Sequence, residues 1–265
     1  MTTILSLLIV FGFFALQQPC EVAATRGPTQ VMINKDISVQ SETRNAPRCF
    51  LLIIPVMDRT CHMTNCFFIG RLLASLIIPD VLDDFLPQYS LQITYPATHT
   101  TVQLGNQVQP SQVHSTPVFD FRPLGSSSLS ADTNNKTFTL ILTDPDARSR
   151  KNPDWSEMCH WIVTNITSPE LVMPGNPDRS PTPAVLKTYL PPGPPKGTGW
   201  HRYVFVLLAG DANEARNLQA PKDRKHWGYG RVRHGIRDWA QDNKLKILSA
   251  NFFYSMSGND TSNTE

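Results

Sequence analysis

The sequence predicts a mainly β fold, and three observations carry the prediction. Apolar runs alternate at strand period: His201, Tyr203, Phe205 and Leu207 fall on one face of a strand, and Arg202, Val204, Val206 and Leu208 on the other. Proline is frequent, 22 of 265 residues, and proline is excluded from helix interiors and central strands. Helical periodicity is sparse. Val232, Ile236 and Trp239 mark one amphipathic helix over 230–242, and a short helix fits 71–77 before Pro79 stops it. The single succession of strand signals favours one domain rather than two. No internal repeat interrupts it.

Along the chain, Leu91, Ile93 and Tyr95 alternate with polar residues up to Pro96, giving a first strand. THTTVQL alternates again and runs into a Gly105-Asn106 turn, and Pro117-Val118-Phe119 begins a further strand. GSSSLSADTNN reads as a solvated loop. TFTLILT is the next strand, and Asp144 follows it directly, opening the DPDARSRKNPDW loop. In MCHWIVTNI, strict alternation puts His160 with Ile162 and Trp161 with Val163, while Cys159 faces away from His160 into the core. The proline-rich stretch 168–199 reads as a long irregular connection. It ends in PPGPPKGTG, where Gly199 and its neighbours let backbone N–H groups approach an anion closely. After the HRYVFVLLA strand and the helix, LKILSANFFYSM closes the domain, and 257–265 is expected to be a disordered tail.

The N-terminus reads as a secretory signal peptide over 1–24. Ile4 to Leu16 is almost unbroken apolar sequence, shorter than the roughly 20 residues a bilayer span needs. Val22-Ala23-Ala24 is a small-residue cleavage pattern, so the mature chain is expected to start near Thr25. Export agrees with N-x-S/T sequons at Asn135, Asn165 and Asn259. Residues 25–70 form a leader and a cysteine-containing segment without clear periodicity. Cleavage leaves Cys49, Cys61, Cys66 and Cys159, which in an oxidising compartment predicts at least one disulfide among Cys49, Cys61 and Cys66. A zinc site at Cys61-His62-Cys66 lacks a second ligand pair at a suitable distance.

Composition and motifs narrow the chemistry. A net charge of +2 is too small to imply nucleic acid as the main partner. Lys222, Arg224, Lys225, Arg231, Arg233 and Arg237 do cluster, either as a solvated helix face or as an anion-attracting surface. No HExxH and no GxSxG elbow is present, so neither a zinc hydrolase nor a serine hydrolase of those types is announced. Two histidines and a carboxylate leave a metal-dependent hydrolase as the least favoured alternative. No cofactor and no resident metal are expected. His160, His201, Tyr203 and Asp144, placed at strand ends, converge on one polar pocket if the strands are neighbours. Histidine, tyrosine and backbone N–H groups there supply donors for an anion. Asp144 would fix the tautomer of one histidine and favour its charged form.

DPDAxSR, then CHWxVxNI, then PPxGTGxHRYVFVLL, in this order and spacing, resemble the phosphatidylethanolamine-binding protein family, including its fungal carboxypeptidase Y inhibitor-like members. The resemblance covers about 78–255 and is highly specific as a combination. It implies a single antiparallel Greek-key β-sandwich over 71–256, with a few short peripheral helices. It also implies a shallow pocket for phosphate-like and carboxylate-like anions, formed by Asp144, Trp155, His160, Gly199, His201 and Tyr203. Trp155 stands where relatives often carry tyrosine, and Arg148 replaces a proline of DPDAPSR, adding a positive charge near the rim. The partners implied are anionic small molecules or phospholipid head groups, with peripheral membrane contact, and a serine carboxypeptidase for the inhibitor alternative. The expected function is non-enzymatic head-group binding by a secreted, extracellular or vacuolar protein. The mature start TRGPTQVMINKD has no match to the N-terminal segment by which inhibitory relatives enter their protease.

Overall fold

The computed structural model describes residues 63–124, 136–167, 183–212 and 217–258, all within the unit Pro55–Glu265. The signal segment, Cys20, Cys49, Cys61, Asn135 and the tail from Asn259 onward lie outside the described residues. In chain order the elements are α1 (Met63–Ala74), a single turn α2 (Ile77–Asp80), β1 (Tyr89–Tyr95), β2 (Thr100–Thr101), β3 (Asn106–Gln107), β4 (Val118–Pro123) and β5 (Lys136–Asp144). They continue with β6 (Met158–Ile166), β7 (Ala184–Lys187), β8 (His201–Asp211), α3 (Ile236–Asp242) and β9 (Lys246–Ser255).

Two sheets form, β2-β1-β4 and β3-β9-β8-β5-β6-β7. Within the larger one, β5, β6 and β7 pair in succession and β8 returns to lie beside β5, which is the Greek-key order. The pairing is antiparallel except at one edge, where the two-residue β3 runs parallel to β9. That departure from an all-antiparallel sheet follows from the Gly105 turn. Its φ of +100° reverses the chain onto β9, and an added Cβ would come within 2.8 Å of the Phe252 ring.

The six-stranded sheet is covered on both faces. On one, Leu140, Leu142, Trp161, Tyr203, Phe205 and Phe253 pack against Leu91, Ile93, Tyr95, Phe119 and Phe121 of the smaller sheet. On the other, Ile141, Ile162, Val204, Val206 and Phe252 meet Leu72 of α1, Trp227, and Ile236 and Trp239 of α3. Burial on both sides explains why TFTLILT and the HRYVFVLLA strand are continuously buried instead of alternating apolar with exposed polar residues. Asn251, buried in β9, substitutes for missing ladder bonds. Its Nδ2 donates to Leu91 O and Val102 O, and its Oδ1 accepts from Leu104 N.

Several elements differ from expectation. The second alternating stretch yields only Thr100–Thr101, because His99 and Leu104 adopt positive φ on either side of it. β7 lies inside the proline-rich connection, where four residues at a sheet edge carry no legible period. The helix near residue 71 begins earlier, at Met63, with Leu72 buried on the core. The helix expected from 230 begins at Ile236 instead, leaving Val232 exposed. Ahead of it, Arg233 has φ of +60° and its backbone N–H donates to Ser156 O, so the chain there is not helical. The side chains of Arg233 and Arg231 pair with Asp80 and Asp238. The basic cluster is therefore not a helix face. Arg224 donates to Cys159 O, His160 O and Thr188 O, and Arg237 donates to Pro79 O.

Candidate functional site

β5, β6 and β8 are adjacent, and their ends bring four of the expected residues together. Asp144 ends β5, His201 begins β8, and their side chains meet at 2.9 Å, Oδ2 to Nδ1. The Asp146 backbone N–H donates to the other oxygen of the same carboxylate at 2.7 Å, and the Tyr203 hydroxyl lies close enough to feel its charge. The His201 and Tyr203 rings stack with centroids 6.3 Å apart, and His160 meets Tyr203 edge-on at 5.3 Å. All four side chains are buried, His201 at 1% exposure.

The two histidines are held in different ways. His160 Nδ1 lies 2.7 Å from Leu190 O. A carbonyl only accepts, so Nδ1 carries the proton and a neutral His160 presents a bare Nε2. Burial pushes its pKa down, which Asp144 opposes incompletely. His201 has both nitrogens engaged, Nδ1 by Asp144 and Nε2 by Thr198 Oγ1 at 3.0 Å. The Thr198 hydroxyl also lies 2.7 Å from Pro195 O, to which it must donate. Its oxygen therefore accepts from His201 Nε2–H. With the Asp144 carboxylate accepting from Nδ1–H, the network describes an imidazolium. Burial works against that charge, but the Asp144 hydrogen bond and the charges of Asp144 and Asp146 outweigh it and raise the His201 pKa. Burial, reinforced by Asp144, raises the Tyr203 pKa well above its ordinary value, so the phenol stays a donor.

His160 reaches this cluster by a route that alternation does not predict. Leu142 pairs with Trp161 and Thr143 with Cys159, so His160 is the extra residue of a β-bulge. Cys159 and Ile162 face the helix side, as Cys159 was expected to, whereas His160 turns toward Tyr203 on the same side as Trp161. The expected sharing of a face by His160 and Ile162 is thus incorrect. The bulge also frees the His160 carbonyl to accept from Leu190 N–H at 2.8 Å and from Arg224.

Trp155 lies on the loop after β5. Its ring contacts the Lys225 ammonium at 3.8 Å and the Arg148 guanidinium at 5.4 Å. Arg148 follows a cis peptide and also pairs with Asp154 at 3.5 Å. Gly199 lies in the turn beside Thr198 with φ of +75°. Asn165 is half-buried in β6 with positive φ. Cys66 is disulfide-bonded, with its partner outside the described residues, so its sulfur is not a zinc thiolate. Cys159 is free and buried, and burial pushes its thiol up to about 12. Among the described residues, no group of three His, Cys, Asp or Glu side chains is arranged to hold a metal.

Two parts of the site were missed in the sequence. Thr198 lies in the quoted GTG segment but has no signal of its own. Asp146, the second carboxylate of DPD, works from the opposite face of β8. Its oxygens take Arg202 Nε at 2.8 Å and Nη2 at 2.6 Å, and the Arg202 backbone N–H at 2.9 Å. Arg202 is fully buried and also reaches Asp80 at 3.0 Å.

Known proteins carry the same arrangement of sequence and fold. The profile of the family described as phosphatidylethanolamine-binding protein matches residues 97–253. The carboxypeptidase Y inhibitor of Saccharomyces cerevisiae is 31% identical over 198 residues, covering 68% of this chain and 90% of that protein. A second, uncharacterized S. cerevisiae protein is 33% identical over 180 residues, 67% of this chain and 87% of its own length. Among solved structures, a carboxypeptidase Y inhibitor complexed with the cognate proteinase superposes with a TM-score of 0.62 at 31% identity, over 73% of this chain and 96% of the inhibitor. A phosphatidylethanolamine-binding protein from Plasmodium vivax, at 23% identity and TM-score 0.60 over 71% of this chain and 97% of its own, shares the fold. On a profile match over more than half its length and relatives this similar over two thirds of it, the chain belongs to the phosphatidylethanolamine-binding protein family.

Proposed function

We propose that the chain is a non-enzymatic binding protein for phosphate-bearing small molecules or phospholipid head groups, taken up at His160, His201, Tyr203 and Asp144. One observation carries this reading: His201 is buried with Nδ1 on the Asp144 carboxylate and Nε2 on a neutral hydroxyl that is itself committed as a donor, the arrangement of an imidazolium. A charged donor in a low-dielectric setting favours an oxyanion over any neutral ligand. The bare Nε2 of His160 adds a complementary acceptor. A phosphomonoester offers both partners, an anionic oxygen for His201 and a P–OH or an ethanolamine ammonium for His160. Acetate offers only the first, so it is expected to bind more weakly than phosphate or phosphorylethanolamine. Trp155, with its two cations, and Gly199 are read as the rim of the same site.

Calorimetric titration with phosphorylethanolamine, phosphate and acetate tests this. His201→Ala removes a donor to a charged group, a loss of about 1.5–3 kcal/mol, or roughly ten- to more than a hundredfold in affinity. If the wild-type protein binds none of the three, or if the variant binds them as well as wild type, the reading is wrong.

A second reading, inhibition of a serine carboxypeptidase, is favoured by the inhibitor relative solved with its cognate proteinase. Residual peptidase activity across a panel of serine carboxypeptidases separates the two readings. Inhibition that survives His201→Ala would assign it to a surface other than the anion pocket.

A further inference from the structure

Resting on the anion-pocket reading, we propose that Thr198 is an internal stand-in for the ligand. Its hydroxyl occupies the His201 Nε2–H that an oxyanion takes on binding, and this competition sets the site's preference for charged over neutral oxygen acceptors.

The geometry of residues 195–198 builds this contact. The Thr198 backbone N–H donates to Pro195 O at 3.3 Å, closing a β-turn with Gly197 at its third position and φ of +82°. A positive φ there is the signature of a type II turn, which a side-chain-bearing residue enters only under strain. The Thr198 hydroxyl then donates to the same Pro195 carbonyl at 2.7 Å. With its only proton committed, the oxygen can face His201 Nε2 at 3.0 Å only as an acceptor. A threonine oxygen therefore stands where an anionic oxygen would stand, on the donor that charge on His201 makes strongest.

His201 is nearly inaccessible with Thr198 against its Nε2, so the turn must give way for a ligand to reach that nitrogen. The turn is suited to moving. Lys196 and Gly197 are exposed and Thr198 is half-buried, so withdrawing it uncovers no apolar core. An added Cβ at Gly197 or Gly199 would meet no atom within 4 Å, which leaves space around the turn. A neutral alcohol or amide oxygen gains nothing by replacing one hydroxyl with another. A phosphate or carboxylate oxygen does, because it brings an opposite charge to a donor that Thr198 meets only with a neutral oxygen.

Thr198→Val keeps the shape and removes the acceptor, and Thr198→Ser keeps the hydroxyl. Titrated with inorganic phosphate and with acetate, Thr198→Val should bind both roughly ten- to a hundredfold more tightly than wild type, the value of one hydrogen bond to a charged group removed from competition. Thr198→Ser should match wild type. Thermal melts confirm that each variant is folded. If Thr198→Val destabilises the fold, wild type alone decides: phosphate should shift the His201 Nε2–H and Thr198 backbone N–H NMR signals together. Binding by wild type with equal or weaker binding by Thr198→Val, or a His201 shift that leaves Thr198 unmoved, overturns the stand-in role alone. Absence of binding by wild type and every variant overturns the anion-pocket reading and this inference with it.

Discussion

His201 and Arg202 are neighbours in sequence, both buried and both held by an aspartate of the same DPD segment, yet they face opposite sides of β8 and behave differently. Arg202 is enclosed by Asp146, Asp80 and the carbonyls of Ser75 and Leu76. Its acceptors come from the DPD loop and from the turns after α1, so it fastens the outer layer to the sheet. His201 is held by one carboxylate and one replaceable hydroxyl. Buried charge serves structure where every partner is fixed, and serves binding where one partner can be exchanged.

The largest expected effect lies on the Arg202 side. Arg202→Met leaves Asp146 and Asp80 without their shared cation, which should cost about 3–5 kcal/mol of stability. Urea denaturation measures that loss, and calorimetry on the folded fraction should find phosphate affinity changed far less. A stable variant that no longer binds would reverse the assigned roles.

Glu157 sharpens the comparison with a pH dependence. It is buried on the helix side, where its carboxyl accepts from Gly235 N–H at 3.2 Å and lies 3.2 Å from Thr143 Oγ1. Burial, only partly opposed by those hydrogen bonds and by Arg237, pushes its pKa from 4.5 up to about 7. A protonated Glu157 can donate to Thr143, whose own proton then goes to Met158 O while its oxygen accepts from Trp227 Nε1–H. Because the folded value is the higher one, this stability is fully present below about pH 4.5 and is lost as pH rises through about 7, roughly 3 kcal/mol in all. Glu157→Gln mimics the protonated form, so denaturation across that window should show a flatter profile than wild type. Equal slopes would refute the assignment.

What the sequence made legible follows from what strand periodicity can encode. β5, β6, β8 and β9 carry apolar runs and β1 alternates, so each was legible as a strand, and the sheet order meets the condition that β5, β6 and β8 be neighbours. The facing of His160 was not legible, because a bulge arises from how β6 registers against β5, and nothing within MCHWIVTNI marks the extra residue. The roles of Leu190 and Thr198 were hidden for a related reason. One acts through a backbone carbonyl and the other through a turn, and neither depends on a period. The basic cluster misled in the opposite direction: adjacent in sequence, its members bind separate carbonyls and carboxylates across the outer layer. His201 and Tyr203 were legible because alternation along β8 holds without interruption at that end, and Asp144 because it directly follows the apolar TFTLILT run.

The central claim is that the site holds one charged and one neutral histidine, and that a bound anion changes the neutral one. Side-chain nitrogen NMR across a pH titration, with and without phosphorylethanolamine, tests it most directly. Without ligand, His201 should titrate above the ordinary histidine value and His160 below it, with the proton of neutral His160 on Nδ1. With ligand, the His160 titration should move upward, as a nearby negative charge favours the protonated form. A His201 that titrates at or below the ordinary histidine value, or a His160 titration that phosphorylethanolamine leaves unmoved, would contradict the account.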